Sequence, residues 1–336
     1  MFSTFDTLTD IMSVPGMKKW FHSLFLEGQL HCFREDSWDP PLRLDAFRGQ
    51  APWGGNLQGL TEQIVDMANL VLDLQSGKRQ CLHLRDWNAW EPCEDADLLD
   101  PDQSFVITPP PRTEDTPPGP ALIICPGGGY EFVSFQNEGT PIQIVAEKRG
   151  YVSFMLRYKI APSRYPEPQL DLLETIRYVR DNAAKYHVDP DRIGIIGFSA
   201  GGHLCASTAA LYRTLMPEAR PNAVVLGYPV ISLEKDIAHE GSALALIGKD
   251  DETLRHELSV ENLIHTDYPP TFAWACRDDG TVPCENTERL EAKLKELGIT
   301  HECRYYPSGG HGCGLAYDNS AWQWSLDMLS FLERNL

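Results

Sequence analysis

Residues 195–202 read Ile-Ile-Gly-Phe-Ser-Ala-Gly-Gly. An apolar run stops at a serine, Ser199, with a glycine two residues away on each side, Gly197 and Gly201. Small residues suited to a helix follow at once. A strand that turns abruptly into a helix holds such a serine in strained backbone and exposes its hydroxyl at the helix N-terminus; glycines are needed because a side chain two residues away would clash. A hydroxyl so placed is a candidate nucleophile. By themselves the five residues also describe a helix-capping serine in a glycine-rich turn, but the strand before and the helix after favour the nucleophile.

A nucleophilic serine needs a base, a group that orients the base, and donors for the oxyanion. His311 lies in YYPSGGHGCG, after the last apolar run, where flanking glycines let the backbone carry an imidazole into a cleft. The acid lies in CRDDGTVP, directly after TFAWA, where Asp278 and Asp279 compete. Two adjacent carboxylates cannot both face one imidazole, so the other serves as a turn or capping residue. The loop CPGGGY (125–130) follows ALII, and bare backbone there offers the N–H groups of Gly127 and Gly128, with Ala200 at the helix start as a third donor. Alone a triple glycine could also form a phosphate loop, but no Gly-Lys-Ser/Thr follows, so Walker-type binding fails.

The elements that must position these groups are legible as a rhythm. Beyond residue 120, ALIICP, YVSFMLRY, RIGIIGFS, NAVVLGYPV, TFAWACRD and HECRYYP are short apolar runs with helical patterns between most of them. Strands alternating with helices predict a mostly parallel sheet covered on both faces. Residues 231–270 break the alternation with no clear strand, which reads as a cap insertion in which Ser242, Leu244 and Leu246 form a narrow wall. Upstream, 8–26 predicts one or two short helices broken at Pro15-Gly16, 35–59 a loop, 60–75 an amphipathic helix ended by Gly77, and 79–85 and 103–108 two strands. The proline-rich stretch 108–120 reads as a stiff surface loop. The apolar stripe of the helix at 60–75 must be covered by the core of the same chain or by a partner subunit of a homodimer.

The chain has 336 residues, 42% of them hydrophobic and 23% charged, with a net charge of −19. That balance argues against nucleic acid, anionic membrane surfaces and highly anionic substrates as partners. Nine cysteines are present, with no C-x-x-C pair, and Cys125, Cys205 and Cys276 lie within apolar runs. Buried free thiols and no zinc site are the expectation. With no basic residue before Lys18 and no long apolar run, a secretory signal and a membrane span are disfavoured and a cytoplasmic location is expected.

With these features in view, the chain resembles the α/β-hydrolase superfamily, and within it the acetylxylan-esterase-like branch of carbohydrate acetyl esterases, often grouped with hormone-sensitive-lipase-like esterases. The resemblance rests on PGGGYEFVS, GYVSFMLRYKIAP, YPEPQLDLLETIRYVRDNA, DPDRIGIIGFSAGGHL, LGYPVIS, RDDGTVPCENT and GGHGCGLA, across roughly residues 121–322. It implies an α/β-hydrolase fold, with residues 1–76 as a helical extension packed on the core and 77–336 as the catalytic domain. The family's acid stands three residues before the Val of a Val-Pro pair, here Val282-Pro283, which selects Asp279. Pro126 replaces the His that related lipase-like enzymes carry before the three glycines. The implied activity is that of a serine esterase acting on short acyl (acetyl) esters of sugars or oligosaccharides through Ser199, Asp279 and His311, with no cofactor and no metal. His203, one turn after the serine, reads as a packing residue. Trp53, Trp87 and Trp90 are candidates for a sugar-stacking wall, with filler between extension and core as the plainer role. A feruloyl or general carboxylesterase and a small peptidase on the same fold are the rival activities, and a catalytically silent binding protein is the rival outside enzymes.

Overall fold

The computed structural model describes residues 1–24, 42–47, 49, 57–85, 89–93, 100, 102–317 and 319–336. Nine strands form one sheet: β1 Cys81–Arg85, β2 Ala89–Pro92, β3 Phe105–Ile107, β4 Gly119–Cys125, β5 Val152–Arg157, β6 Val188–Phe198, β7 Ala223–Gly227, β8 Thr271–Cys276 and β9 His301–Tyr306, in the spatial order β2-β1-β3-β5-β4-β6-β7-β8-β9. The first three strands join antiparallel, while β5, β4 and β6 through β9 are all parallel. The central strands are mostly apolar because helices cover both faces; β5, β7 and β8 are buried at every position. This is the α/β-hydrolase fold. Strand β2 is not among the strands expected from the sequence; its Pro92 lies at the sheet edge, where a proline is tolerated.

The topology places the chemistry. In parallel strands every carboxyl end lies on the same edge, so the loops leaving adjacent strands meet there. The glycine loop leaves β4, Ser199 leaves β6, Tyr228 leaves β7, Asp278 and Asp279 leave β8, and the loop bearing His311 leaves β9. Beneath them Phe198, Trp274 and Trp324 form a buried aromatic floor, with Trp274 stacked on Trp324 at 5.0 Å.

Near the N-terminus, helices Leu8–Met12 and Met17–Leu24 flank Pro15-Gly16, and a long helix spans Leu57–Gln75. That helix buries Ile64, Met67, Ala68 and Val71 along one stripe. Asn69 brackets the backbone of Phe2, and Gln75 donates to the Pro15 carbonyl at 2.6 Å. Beyond the helix end, Arg79 makes a bidentate pair with Glu147 of the core helix Thr140–Lys148, at 2.9 and 2.7 Å. Most of the expected loop at 35–59 lies outside the described residues. Residues 231–270 contain no strand and instead form helices Glu240–Ile247, Glu252–Leu258 and Val260–Leu263. Fully buried Arg255 staples them: it donates to the Leu233 carbonyl at 3.0 Å and pairs with Glu240 and Asp250. Among the described residues no helix is long and apolar enough to cross a membrane.

Candidate active site

Ser199 sits at the first position of helix Ser199–Leu215 with φ +53°, left-handed backbone that a non-glycine residue adopts only under constraint. The constraint is steric. A Cβ at Gly197 would lie 2.0 Å from the Gly201 carbonyl oxygen, one at Gly201 would lie 2.2 Å from that of Cys125, and one at Gly202 would lie 2.6 Å from Pro229 Cβ. The strand can therefore turn into the helix only with bare backbone on both sides of the serine.

His311 Nε2 lies 2.8 Å from Ser199 Oγ, and His311 Nδ1 lies 2.7 Å from Asp279 Oδ2. The other carboxylate oxygen of Asp279 accepts the N–H groups of Thr281 and Val282, each at 2.9 Å. The acid is thus locked by its own turn and buried, while the imidazole keeps a modest exposure of 17%. The adjacent Asp278 does something different: its Oδ1 accepts the N–H groups of Gly309 and Gly310, both at 2.9 Å, and so fastens the loop that carries His311. One carboxylate thus faces the imidazole and the other fastens its loop. Hydrogen bonds at both imidazole nitrogens fix Nδ1 as the donor to Asp279 and leave Nε2 to accept from the serine hydroxyl.

The expectation for Gly127 requires correction. Its N–H donates to the buried carboxylate of Glu138 at 2.7 Å, so it is already committed. No protein acceptor takes the N–H of Gly128 or Ala200 among the described residues, and Ala200 lies in the helix's first turn, where backbone donors lack intrahelical partners. A Cβ on Gly127 would also come within 2.8 Å of Ser199 Cβ, so this glycine is required for space. Glu138 was not singled out in the sequence. Besides Gly127 it accepts the Tyr228 hydroxyl at 2.6 Å, and that hydroxyl in turn accepts Gly314 N–H at 3.0 Å, beyond His311. Burial raises the Glu138 pKa, against the pull of these two donors. The Tyr158 hydroxyl donates to the Pro126 carbonyl at 2.8 Å. Tyr158 and Glu138 thus fasten a loop in which Pro126 has no side-chain donor.

The BD-FAE family model matches residues 107–294, more than half of the chain. The chain belongs to the BD-FAE family. It is 33% identical to an acetylxylan esterase of Xylanibacter ruminicola over 207 residues, which cover 60% of this chain and 42% of that protein. It is 32% identical to an endo-1,4-beta-xylanase B of Butyrivibrio fibrisolvens over 218 residues, covering 61% of this chain and 34% of that protein. The chain thus spans less than half the length of these curated relatives. Among solved structures, an acetyl ester-xyloside bifunctional hydrolase from Caldicellulosiruptor lactoaceticus superposes with a TM-score of 0.64 at 35% identity, over 70% of this chain and 89% of that one. These likenesses place the chain's fold among α/β-hydrolases.

In this BD-FAE chain the cap reaches the site through His239 and Ser242. A Cβ on Gly129 would lie 3.9 Å from Ser242 Oγ. His239 Nδ1 accepts the Ser242 N–H at 3.2 Å and faces its hydroxyl at 2.8 Å, so the ring proton resides on Nε2, which no protein group takes among the described residues. Burial, aided by the neighbouring His311, lowers the His239 pKa and favours this neutral form. Of the expected cap wall, Ser242 and Leu246 are fully buried, Ser242 beside the glycine loop, while Leu244 is 39% exposed. Trp90 packs on Tyr178, with ring centroids 5.2 Å apart. It is a filler on the sheet flank, while Trp53 and Trp87 lie outside the described residues.

His203 is fully buried and bridges three elements: its Nδ1 lies 2.9 Å from the Tyr130 hydroxyl after the glycine loop, and its Nε2 lies 2.9 Å from the Leu258 carbonyl of the cap. A carbonyl can only accept, so Nε2 donates and Nδ1 accepts from Tyr130. Burial lowers the pKa from 6.5 to about 4. The unfolded chain therefore takes up this proton first as the pH falls, and stability drops between about pH 6.5 and 4 by an amount of order 3 kcal/mol from this residue. His203→Gln is expected to make the stability–pH curve from urea unfolding shallower in that window. An unchanged slope would refute the assignment of a neutral buried imidazole.

Proposed function

We propose that this chain is a serine esterase that removes acetyl groups from acetylated sugars or oligosaccharides. The observation that carries the reading is the unbroken chain from Ser199 Oγ through His311 to Asp279, at 2.8 and 2.7 Å, on a serine held at φ +53°. In this reading His311 Nε2 takes the Ser199 proton as Oγ bonds to the ester carbonyl carbon. The oxyanion rests against the N–H groups of Gly128 and Ala200. As the intermediate collapses, the ester C–O bond breaks and the alcohol leaves with the proton from His311. Water then attacks the acyl-enzyme, gives its proton to His311, and the acid departs as Ser199 regains its hydrogen. Asp279 holds the tautomer and stabilises the imidazolium throughout.

The acetylated carbohydrate is supported by the names of the similar proteins, an acetylxylan esterase and an acetyl ester-xyloside hydrolase. The uncommitted Nε2–H of His239 adds a donor suited to an alcohol rich in hydroxyls. Assays comparing acetylated xylo-oligosaccharides, aryl esters from acetyl to long acyl, hydroxycinnamate esters and aminoacyl amides test the reading. The expected result is highest kcat/KM on acetyl esters, with the sugar esters preferred. Faster turnover of hydroxycinnamate esters or amides would assign the site to the rival substrates. Within the same panel, Leu244→Ala is expected to raise the butyrate-to-acetate ratio of kcat/KM by about threefold or more, because removing a side chain's methylenes opens space worth about 1 kcal/mol. An unchanged ratio would remove Leu244 from the acyl pocket.

A further inference from the structure

The loop that carries His311 is built from backbone that cannot hold itself. Gly309, Gly310, Gly312 and Gly314 all have positive φ, between 53° and 156°. Such a run retains large conformational freedom unless outside groups pin it. Three sets of pins come from the catalytic domain's own sheet edge and last helix: Asp278 on Gly309 and Gly310, the Tyr228 hydroxyl on Gly314 N–H, and Trp324 Nε1 on the Gly314 carbonyl at 3.0 Å. A further pin adjoins His311 directly. Asn137 Nδ2 donates to the Gly312 carbonyl at 2.6 Å. Asn137 belongs to a π-helical turn, Phe135–Gly139, whose next residue is Glu138, so neighbouring residues of one wide turn support the histidine loop and the glycine loop.

The orientation of the Asn137 amide is braced from outside the catalytic domain. The Gly312 carbonyl demands a donor, which turns the amide oxygen of Asn137 the opposite way. There Gln63 Nε2, on the N-terminal helix Leu57–Gln75, donates to Asn137 Oδ1 at 3.2 Å. We infer that Gln63 and Asn137 are positioning residues that hold His311 in register with Ser199, so that the N-terminal helix takes part in building the active site. This inference rests on the reading of His311 as the base for Ser199.

The isosteric change Gln63→Glu separates positioning from packing. It keeps the shape of a half-buried helix residue but presents an acceptor to an acceptor. The Asn137 amide then either stays opposed to a carboxylate or flips and sets its oxygen against the Gly312 carbonyl. Either outcome loosens the loop beside His311. The expected result is a fall in kcat of about tenfold with KM changed less than about twofold, since misplacement of a catalytic group by a fraction of an ångström has effects of this size. Asn137→Ala is expected to lower kcat by about 30-fold or more, and the double variant to be no worse than Asn137→Ala alone, because both changes break one linkage. The rate of inactivation by a fluorophosphonate, which needs an activated serine but no sugar contact, should fall by the same factors. Additive losses, or an inactivation rate for Gln63→Glu within about twofold of wild type, would overturn the inference. His311→Ala serves as the control: if it remains active, the reading of the base fails, independently of Gln63. Should Asn137→Ala not fold, the kcat and inactivation rate of Gln63→Glu decide the matter.

Discussion

In the proposed mechanism, replacing Ser199 by alanine is expected to lower kcat on an acetyl ester by roughly 10⁵- to 10⁶-fold and to leave the fold in place. The size follows from what is removed. Without Oγ there is no acyl-enzyme, and only the oxyanion donors and substrate binding remain to speed attack by water. The fold is spared because alanine keeps the Cβ that the elbow already accommodates at φ +53°, and the one side-chain bond lost is that to His311. The test pairs steady-state turnover with thermal unfolding and with labelling by a fluorophosphonate. Wild type gains one adduct on the tryptic peptide containing Ser199, and the variant gains none. Turnover within about tenfold of wild type, or an adduct elsewhere in the chain, would take Ser199 out of the mechanism.

What the sequence makes legible is what sterics dictates locally. Gly197 and Gly201 announce themselves because close approach of backbone admits no side chain, and the strand-to-helix rhythm around them follows from burial on both sheet faces. The architecture of parallel strands then brings Ser199, Asp279 and His311 to one edge from positions up to 112 residues apart. Glu138 and Asn137 carried no such mark. In the stretch FQNEG they are ordinary polar residues, one of them among 48 acidic side chains, and their partners Gly127, Tyr228, Gly312 and Gln63 are set by tertiary contact alone. The commitment of Gly127 to Glu138 was hidden for the same reason: a glycine's availability as a donor depends on which carboxylate the fold delivers to it. The cap is a similar case. Its length and lack of strands were readable, but which of Ser242, Leu244 and Leu246 faces outward was settled by the packing around Arg255 and His239.

The adjacent acids give the other large expected effect. Asp279→Asn lowers kcat by about 10⁴-fold, while Asp278→Asn lowers it by less than about tenfold. The asymmetry follows from what each carboxylate accepts. Asp279 receives two backbone N–H groups on Oδ1 and the His311 Nδ1–H on Oδ2. In the asparagine variant the two backbone donors of Thr281 and Val282 still require an oxygen, so the amide turns its NH₂ toward His311. Nδ1 must then accept, the ring proton moves to Nε2, and the imidazole can no longer take a proton from Ser199. The side chain's volume and its backbone bonds are unchanged, so the loss belongs to the tautomer and not to the fold. Among the described residues, Asp278 meets the N–H groups of Gly309 and Gly310. Asparagine offers the same acceptor oxygen to both, so the loop stays fastened. Alanine at Asp278 removes it and frees the loop that carries His311, with an expected loss of about 10- to 100-fold. Steady-state kinetics of the three variants on one acetyl ester, with circular dichroism to confirm folding, check the ranking. Should Asp278→Asn prove the more damaging of the two asparagine variants, the orienting role passes from Asp279 to Asp278.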